Sequence, residues 1–308
     1  MKVLTLVVLA AGLGSRYGGL KQLEPVGPNG EPLLDYAVFD ALRAGFARVV
    51  FVIRDDFSVV FKSTIGARYS GRIEVDYVCQ DIDDVPAGLA IPADRVRPWG
   101  TLHAVLAARQ AIGGPFAVIN ADDFYGHDAY CKVADFLAAA DSETAGREHG
   151  CMVGYRLEKT LSPHGGVNRG VGRESGKRGA FLAGVEEYKD IRLAADGFCY
   201  GFDLAGQRVR IARDATVSMN FWGFGPGILA PFSRNFQEFL TVHGGDADAE
   251  CYIPGAVDSL IQSGGADCRI LKTDEAWFGV TYPQDMPASV EKIRALIAQG
   301  MYAKDLWA

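Results

Sequence analysis

An apolar segment that runs directly into a glycine-rich loop is the strongest constraint on the fold of this chain. Residues 3–9 are continuously apolar apart from one threonine, and the segment 10–22, AAGLGSRYGGLKQ, follows without a break. A continuous apolar run of this length is typical of a parallel strand that is buried on both faces. We therefore predict a first strand with a glycine loop at its carboxyl end, the edge at which such sheets bind ligands.

Strand-like and helix-like segments alternate after this loop. Apolar runs at 48–53, 73–78 and 116–120 predict three further buried strands. Helical periodicity at 34–42 and an Ala- and Leu-rich segment at 102–112 predict helices between them. This alternation predicts an α/β fold with a Rossmann-like, three-layer, mainly parallel sheet.

The second half of the chain has a different pattern. Short strand-like segments at 151–157, 198–203 and 209–211 surround a region rich in Gly, Arg and Ser at 160–180, which we interpret as a loop or hairpin. Residues 283–298 predict a closing helix, with Asp285 near its start as a cap. We interpret the middle as a β-rich insertion or substrate lobe of the same domain rather than a separate domain.

Length, charge and cysteine spacing limit the class of protein. The 308 residues show no Pro- or Ser-rich linker, so we predict one domain over 1–308. A net charge of −7 disfavours nonspecific nucleic-acid binding. The absence of an apolar stretch of about 18–20 residues argues against a membrane span. Six cysteines without a CxxC pair indicate reduced thiols and a cytoplasmic location, and an oligomer is compatible with the sequence.

The glycine loop has the composition of a phosphate-binding turn. Backbone N–H groups of such a loop cradle phosphate oxygens, and Arg16 and Lys21 add positive charge. The dinucleotide fingerprint GxGxxG fails because the sixth residue from Gly12 is Tyr17, which argues against a dehydrogenase. The P-loop pattern counted from Gly14 fails because the lysine comes one residue late and no Ser or Thr follows it. The simpler alternative is a tight turn with solvent-facing basic residues.

Two carboxylates follow the strand at 116–120. Asp122 and Asp123 follow this buried segment after one residue, Ala121, which places them at the ligand edge of the sheet. Carboxylate oxygens there suit a Mg²⁺ ion that carries nucleotide phosphates. The alternative is an Asp-Asp turn that caps the next segment.

These motifs together resemble the nucleotidyltransferases that make nucleotide sugars and related activated alcohols. The sequence LAAGLGSR followed by Lys21 is similar to their signature loop, with Ser15 in place of Thr and Leu20 in place of Pro. The Lys21-Gln22 pair and the segment VTYPQD at 280–285 resemble the methylerythritol-phosphate cytidylyltransferases. The resemblance implies a GT-A-like nucleotidyltransferase fold, with a nucleotide-binding half at 1–126 and an acceptor-binding half at 127–308 whose β-rich insertion forms the acceptor lobe. It also implies Mg²⁺-dependent transfer of a nucleotidyl group from an NTP to a phosphorylated acceptor, with release of pyrophosphate.

The resemblance also implies roles for individual residues. The catalytic residues would be Arg16, Lys21 and Asp122, with Asp122 as the metal ligand. The nucleotide would be bound by the first loop and by two later segments: Ala10, Ala11, Gly12, Gly14, Ser15, Gln80, Gly100 and Thr101. The Gln80 amide suits a pyrimidine edge because one amide both donates and accepts hydrogen bonds.

The acceptor side of the resemblance is looser. The expected acceptor-binding residues are Asp123, Glu186, Lys189, Asn220 and Trp222. Tyr188 stands where the family has its lysine, and Gly279 stands where one branch of the family has a second metal-binding aspartate. We read Asp285 as a helix cap rather than a ligand.

The sequence leaves the substrates open among several alternatives. The size of the middle insertion favours a sugar 1-phosphate as acceptor, with UTP as the first choice of nucleotide and CTP as the second. A cytidylyltransferase that acts on a polyol or choline phosphate is one alternative. A catalytically inactive protein that binds a nucleotide sugar and serves a regulatory role is another.

Overall fold

A computed structural model describes residues 3–12, 21–139, 147–176, 179–280 and 282–308. These residues form an α/β fold built on one large sheet and a two-stranded ladder. The strands within them are β1 Thr5–Leu9, β2 Arg48–Ile53, β3 Glu74–Cys79, β4 Phe116–Asn120, β5 Asp123–Phe124, β6 Glu148–Arg156, β7 Val167–Ser175, β8 Gly179–Leu193, β9 Cys199–Phe202, β10 Arg208–Ile211, β11 Thr216–Phe224, β12 Ala266–Lys272 and β13 Phe278–Gly279. The helices within them are α1 Leu33–Arg43, α2 Ser58–Ile65, α3 Thr101–Ala107, α4 His127–Ala139, α5 Leu229–His243, α6 Ile253–Gln262 and α7 Met286–Ala298.

The first four strands of the chain form the parallel part of the sheet, in the order β3-β2-β1-β4. The central strand β1 is bonded on both sides, so that Val7 lies between Val50 and Val118. This explains why the segment is apolar throughout, because successive residues face opposite sides of a sheet that is covered on both. The strands predicted at 48–53 and 116–120 are confirmed to the residue.

Helices cover both faces of this sheet. Leu6 and Val8 lie in an apolar cluster with residues of α1, α2 and α4. Val7 and Val50 lie in a second cluster with residues of α3, α5 and α6. The carboxyl ends of the parallel strands are left uncovered by these helices, which is where the loops that carry the candidate site begin.

The second half of the chain makes the sheet mixed, which corrects the prediction of a mainly parallel sheet. Strand β11 inserts antiparallel between β4 and β6, and β7 pairs antiparallel with both β8 and β11. Short connections of the kind that link β7 to β8 and β8 to β9 permit antiparallel pairing, whereas parallel pairing needs a long crossover. Among the described residues of this half, β12 returns to a parallel pairing, beside β6.

The end of the chain packs as a third apolar cluster against α1 and the β5–β13 ladder. Ile293 of α7, Tyr302 and Leu306 are buried there. Asp285, predicted to cap this helix, instead caps the short 3₁₀ turn 283–285 that precedes α7: its Oδ2 accepts a hydrogen bond of 2.7 Å from the N–H of Tyr282.

The sequence also predicts reduced cysteines and the lack of a membrane-spanning helix. All six cysteines are free thiols. Across the described ranges, the helices are too short or too polar to cross a membrane.

Candidate active site

A cavity of about 470 Å³ opens at the carboxyl ends of β1, β3 and β4. It combines residues from the first loop, from the segment that precedes α3 and from the end of β4. Its walls are formed by Leu9, Ala11, Gly12, Gln22, Gln80, Val96, Arg97, Pro98, Gly100, Thr101, Ala104, Asn120, Asp122 and Glu250. The predicted residues Ala11, Gly12, Gln80, Gly100, Thr101 and Asp122 are therefore brought together, although they span more than 100 positions of sequence.

The start of the first loop is held by Gln22. Its Nε2 donates to the carbonyl oxygens of Ala10 and Gly12, at 3.3 Å each. Ala10 itself is fully buried beneath the cavity rather than on its wall. These contacts fix the backbone at the point where the glycine loop begins.

The remainder of the loop is not described. The predicted residues Gly14, Ser15 and Arg16 lie outside the described residues, and of Lys21 only the backbone, which begins a short 3₁₀ turn at 21–23, is described. Their roles remain predictions.

The backbone conformation at position 100 requires glycine. Its φ of +96° lies in the region that favours glycine. A Cβ at this position would lie 2.7 Å from the amide nitrogen of Cys251 and closer still to its carbonyl oxygen. The neighbouring Thr101 begins α3, and its Oγ1 accepts a hydrogen bond of 3.1 Å from the N–H of Ile253. The 251–253 segment is thereby fastened to the cavity wall.

Gln80 follows β3 and is tied to α3. Its Nε2 donates to the carbonyl oxygen of Gly100 at 3.0 Å and lies 3.2 Å from Nδ1 of His103. The other ring nitrogen of His103 lies 3.0 Å from the carbonyl oxygen of Asp84. Burial lowers the pKa of His103, so the ring is neutral at pH 7.

The two carboxylates after β4 have different environments. Asp122 lies on the cavity wall and is partly exposed. Asp123 is buried, and its Oδ2 accepts hydrogen bonds from Asn120 Nδ2 at 2.9 Å and from the Tyr125 hydroxyl at 3.2 Å. Asp122 thus faces the cavity, while Asp123, predicted to bind the acceptor, belongs to an internal polar network and lines neither this cavity nor the adjoining one.

That network continues into β11. Asn220 Nδ2 donates to Asn120 Oδ1 at 2.8 Å, and Asn220 Oδ1 accepts from Trp222 Nε1 at 3.2 Å. Asn220 has a φ of +64°, a left-handed conformation that coincides with the register shift of β11 against β6. The bulge turns Asn220 towards the cavity edge instead of leaving it in the ladder.

The sequence predicts that Trp222 stacks on an acceptor ring, but Trp222 is buried and its ring is not accessible to a ligand. Its side chain has no exposed surface, and its ring lies parallel to that of Phe224 at 6.2 Å between centroids. Within this structure Trp222 packs in the core and orients Asn220 through its N–H group.

A second cavity of about 180 Å³ lies beside the first. It shares Thr101 and Asn120 with the first cavity, so the two adjoin at the end of β4. Its walls are Thr101, Asn120, Asn168, Arg169, Gly170, Glu187, Ser218, Met219, Asn220, Tyr252 and Pro254.

Two half-buried charged groups of opposite sign face this second cavity. Burial raises the pKa of Glu187 to about 7, although the nearby cations Arg169 and Lys189 oppose this rise. Burial lowers the pKa of Arg169 to about 10, so it remains a cation at neutral pH. Its guanidinium group donates to the carbonyl oxygens of Thr160 and Asn168 at 2.6 and 2.7 Å. The cavity therefore offers one permanent cation and one carboxyl group that titrates near neutrality.

Glu187, rather than the predicted Glu186, lines the second cavity. Glu186 is exposed and accepts a hydrogen bond of 2.7 Å from the Tyr188 hydroxyl, whereas Glu187 lines the cavity. Neighbouring residues of a strand point to opposite faces, so only one of the two glutamates reaches the cavity. Lys189 shares the face of Glu187, and it is exposed beyond the cavity walls.

Gly279 stands opposite Asp123 in the β5–β13 ladder. A Cβ at position 279 would overlap Oδ1 of Asp123. The carboxylate of Asp123 therefore occupies the space that a side chain at 279 would need. The part of the chain that the structure describes contains no group of three or more His, Cys, Asp or Glu placed to hold a metal ion by themselves.

The donor set nevertheless fits a Mg²⁺ ion. This ion is commonly held by one or two carboxylates together with substrate phosphates and water, rather than by a full protein cage. Asp122 on the cavity wall supplies such a carboxylate, beside the loop predicted to hold phosphates.

Several site residues were missed by sequence reasoning. Asn120 carried a usable signal, because it ends a buried strand, with one residue between it and the two aspartates. Arg169, Glu250 and Tyr252 carry no motif, and they reach the cavities only through the pairing of β7 and the packing of 251–253 beside 99–102.

Most residues of the first cavity lie in a segment that matches a known protein family. Residues 6–148 match the profile of the MobA-like NTP transferase domain. The matched segment runs from β1 to the start of β6 and so contains the glycine loop, Gln80, Gly100 and Asp122. A comparison with curated protein sequences gives no significant match.

Several solved structures share the fold of this chain. A structure from Bacillus anthracis described as a glucose-1-phosphate thymidylyltransferase, in complex with a sucrose, is 13% identical, with a TM-score of 0.61 over 95% of this chain and 96% of that one. The inositol-1-phosphate CTP transferase from T. maritima is 11% identical, with a TM-score of 0.60 over 97% and 98%. A UDP-glucose pyrophosphorylase in complex with UDP-glucose is 17% identical, with a TM-score of 0.54 over 95% and 99%.

Residues 6–148 carry an NTP transferase domain, and this domain supports an enzyme of the nucleotidyltransferase type. The resemblance predicted from the glycine loop is thereby confirmed.

Proposed function

We propose that the protein transfers a nucleotidyl group from an NTP to a phosphorylated small molecule, with a sugar 1-phosphate as the preferred acceptor and UTP, then CTP, as the preferred nucleotide. The observation that carries this proposal is the pair of adjoining cavities that share Thr101 and Asn120. A reaction between two bound phosphates requires two sites that meet where the new bond forms.

The first cavity binds the nucleotide in this proposal. Gln80, Gly100 and Thr101 contact the base, while the glycine loop, Arg16 and Lys21 contact the triphosphate. Asp122 holds Mg²⁺, which when bound neutralises phosphate charge during the transfer. These residues chiefly position the NTP and offset its negative charge.

The second cavity binds the acceptor. Arg169 attracts its phosphate group, and Glu187 in its ionised form accepts hydrogen bonds from its hydroxyl groups. An oxygen of the acceptor phosphate attacks the α-phosphorus of the NTP, a new P–O bond forms, and the bond to the β-phosphate oxygen breaks. Pyrophosphate leaves with that electron pair. No general base is needed, because the attacking oxygen is already anionic.

Pyrophosphate release tests the proposal directly. Purified protein with Mg²⁺ is assayed with UTP, CTP, dTTP, ATP and GTP against sugar 1-phosphates, inositol 1-phosphate and choline phosphate. We expect release with one NTP–acceptor pair and a loss of at least about 100-fold in Asp122→Asn. Asp214→Asn is the matched control, because this aspartate is exposed and lines neither cavity.

The outcomes separate the alternatives. Release that persists in Asp122→Asn contradicts the role of Asp122, whereas release with a polyol or choline phosphate alone corrects the acceptor. Tight binding of a nucleotide sugar without turnover under any pairing favours the regulatory alternative.

A further inference from the structure

The amide of Gln80 can adopt only one of its two orientations in this structure. Its end group lies against two atoms, the carbonyl oxygen of Gly100 at 3.0 Å and Nδ1 of His103 at 3.2 Å. The Gly100 oxygen can only accept a hydrogen bond, so it requires the amide nitrogen of Gln80.

His103 imposes the same requirement through its tautomer. Nε2 of the ring lies 3.0 Å from the carbonyl oxygen of Asp84, which only accepts, so Nε2 carries the proton. The ring is 1% exposed and stacks on Phe236 with 5.0 Å between ring centroids, a setting that keeps it neutral. A neutral imidazole protonated on Nε2 has an acceptor at Nδ1, which again faces the amide nitrogen of Gln80.

The remaining polar atom of the amide is its oxygen. Both N–H groups of Gln80 are used on the α3 side, so Oε1 is the polar atom of this amide that is not engaged there. Because Gln80 lines the first cavity, this oxygen is what its amide offers to a bound base. An oxygen that only accepts requires a base with an N–H group at that place, such as the imide of uracil or thymine or the amino group of cytosine.

We propose that His103 is a positioning residue for base selection, which holds the Gln80 amide with Oε1 towards the nucleobase. The inference rests on the proposed function, because it needs a nucleotide in the first cavity. Without the Nδ1 acceptor the amide can rotate by half a turn and present its N–H₂ group, which reads a base acceptor instead. Only the Gly100 oxygen then opposes the rotation, so base discrimination falls while binding of the phosphates is retained.

Two substitutions of His103 separate this role from simple packing. His103→Phe keeps an aromatic ring against Phe236 and removes both ring nitrogens. His103→Asn loses the ring but places an amide oxygen near the position of Nδ1, so it keeps an acceptor for Gln80. A packing role predicts the larger defect in His103→Asn, whereas the positioning role predicts the larger loss of base selectivity in His103→Phe.

Equilibrium binding of UTP, CTP, dTTP, ATP and GTP, with Mg²⁺, to the full chain gives the readout. The best-bound pyrimidine nucleotide is then compared with its analogue that lacks the N–H donor, N3-methyl-UTP for UTP or N4,N4-dimethyl-CTP for CTP. We expect the ratio of the dissociation constants of analogue and parent to fall at least about five-fold in His103→Phe and to change less than about two-fold in His103→Asn. Urea unfolding of each variant shows whether it is folded.

Each outcome has a distinct meaning. If wild type discriminates between the parent nucleotide and its analogue and His103→Phe retains the same ratio, the inference is overturned and the proposed function stands. If wild type binds none of the five nucleotides, both fail. If His103→Phe does not fold, wild type is tested with N3-methyl-UTP and N4,N4-dimethyl-CTP, which lack the N–H donor; affinity at least five-fold weaker than for the parent nucleotide supports the inference, and unchanged affinity overturns it.

Discussion

Glu187→Gln should stabilise the protein at alkaline pH. Burial raises the pKa of Glu187 from 4.5 to about 7 in the folded state. Between these two values the folded state holds a proton that the unfolded state releases, so stability falls as pH rises through this window and stays low above it. At about 1.36 kcal/mol per pH unit, the ionised carboxylate costs the fold about 3 kcal/mol above pH 7.

The assay is urea unfolding at pH 5 and at pH 8. We expect Glu187→Gln to exceed wild type by about 2–3 kcal/mol at pH 8, with the difference nearly closed at pH 5. The matched control is Glu186→Gln, the same chemical change at the exposed neighbouring position, for which the two profiles should run parallel. Parallel profiles for Glu187→Gln as well would refute the reasoning. Under the proposed function the stabilised variant should also bind the acceptor more weakly, because a carboxylate that accepts from hydroxyl groups has been lost.

Two backbone predictions follow from the same structure. Gly100→Ala should lower the free energy of unfolding in urea by about 2–4 kcal/mol, because it combines a positive φ with overlap of a neighbouring backbone. Gly113→Ala, where a Cβ meets open space, should be close to neutral, and equal losses in both would contradict the argument. Asn220→Ala should be less stable than Asn220→Gly by about 1 kcal/mol, since both lose the amide contacts but only alanine is strained at a φ of +64°; a more stable alanine variant would show that the bulge has relaxed.

The parallel half of the fold could be predicted because its signal is local. Strands β2 and β4 are buried on both faces, so their limits appear in the sequence as the limits of apolar runs. The pairing of β11 between β4 and β6 left no such signal. It depends on which strand edges are open once the first strands have assembled, and this is a property of the whole sheet.

The first cavity could likewise be predicted from local sequence signals, whereas the second cavity could not. Gln80, Gly100 and Asp122 follow strand ends or begin a helix, so parallel topology alone brings them to one edge. The choice between Glu186 and Glu187 depends on the phase of β8, which pairs with β7 through three register shifts. A single shift of this kind exchanges the two faces of a strand, so the sequence pattern could not decide which glutamate lines the cavity.

The overlap between Asp123 and position 279 makes these two positions interdependent. The β5–β13 ladder has room for one carboxylate at this point, and either strand can supply it. Relatives that carry an acidic residue at the position of Gly279 must place the residue opposite it differently. An evolutionary or engineered route between the two arrangements has to remove the carboxylate at 123 before adding one at 279, because the reverse order passes through an overpacked intermediate.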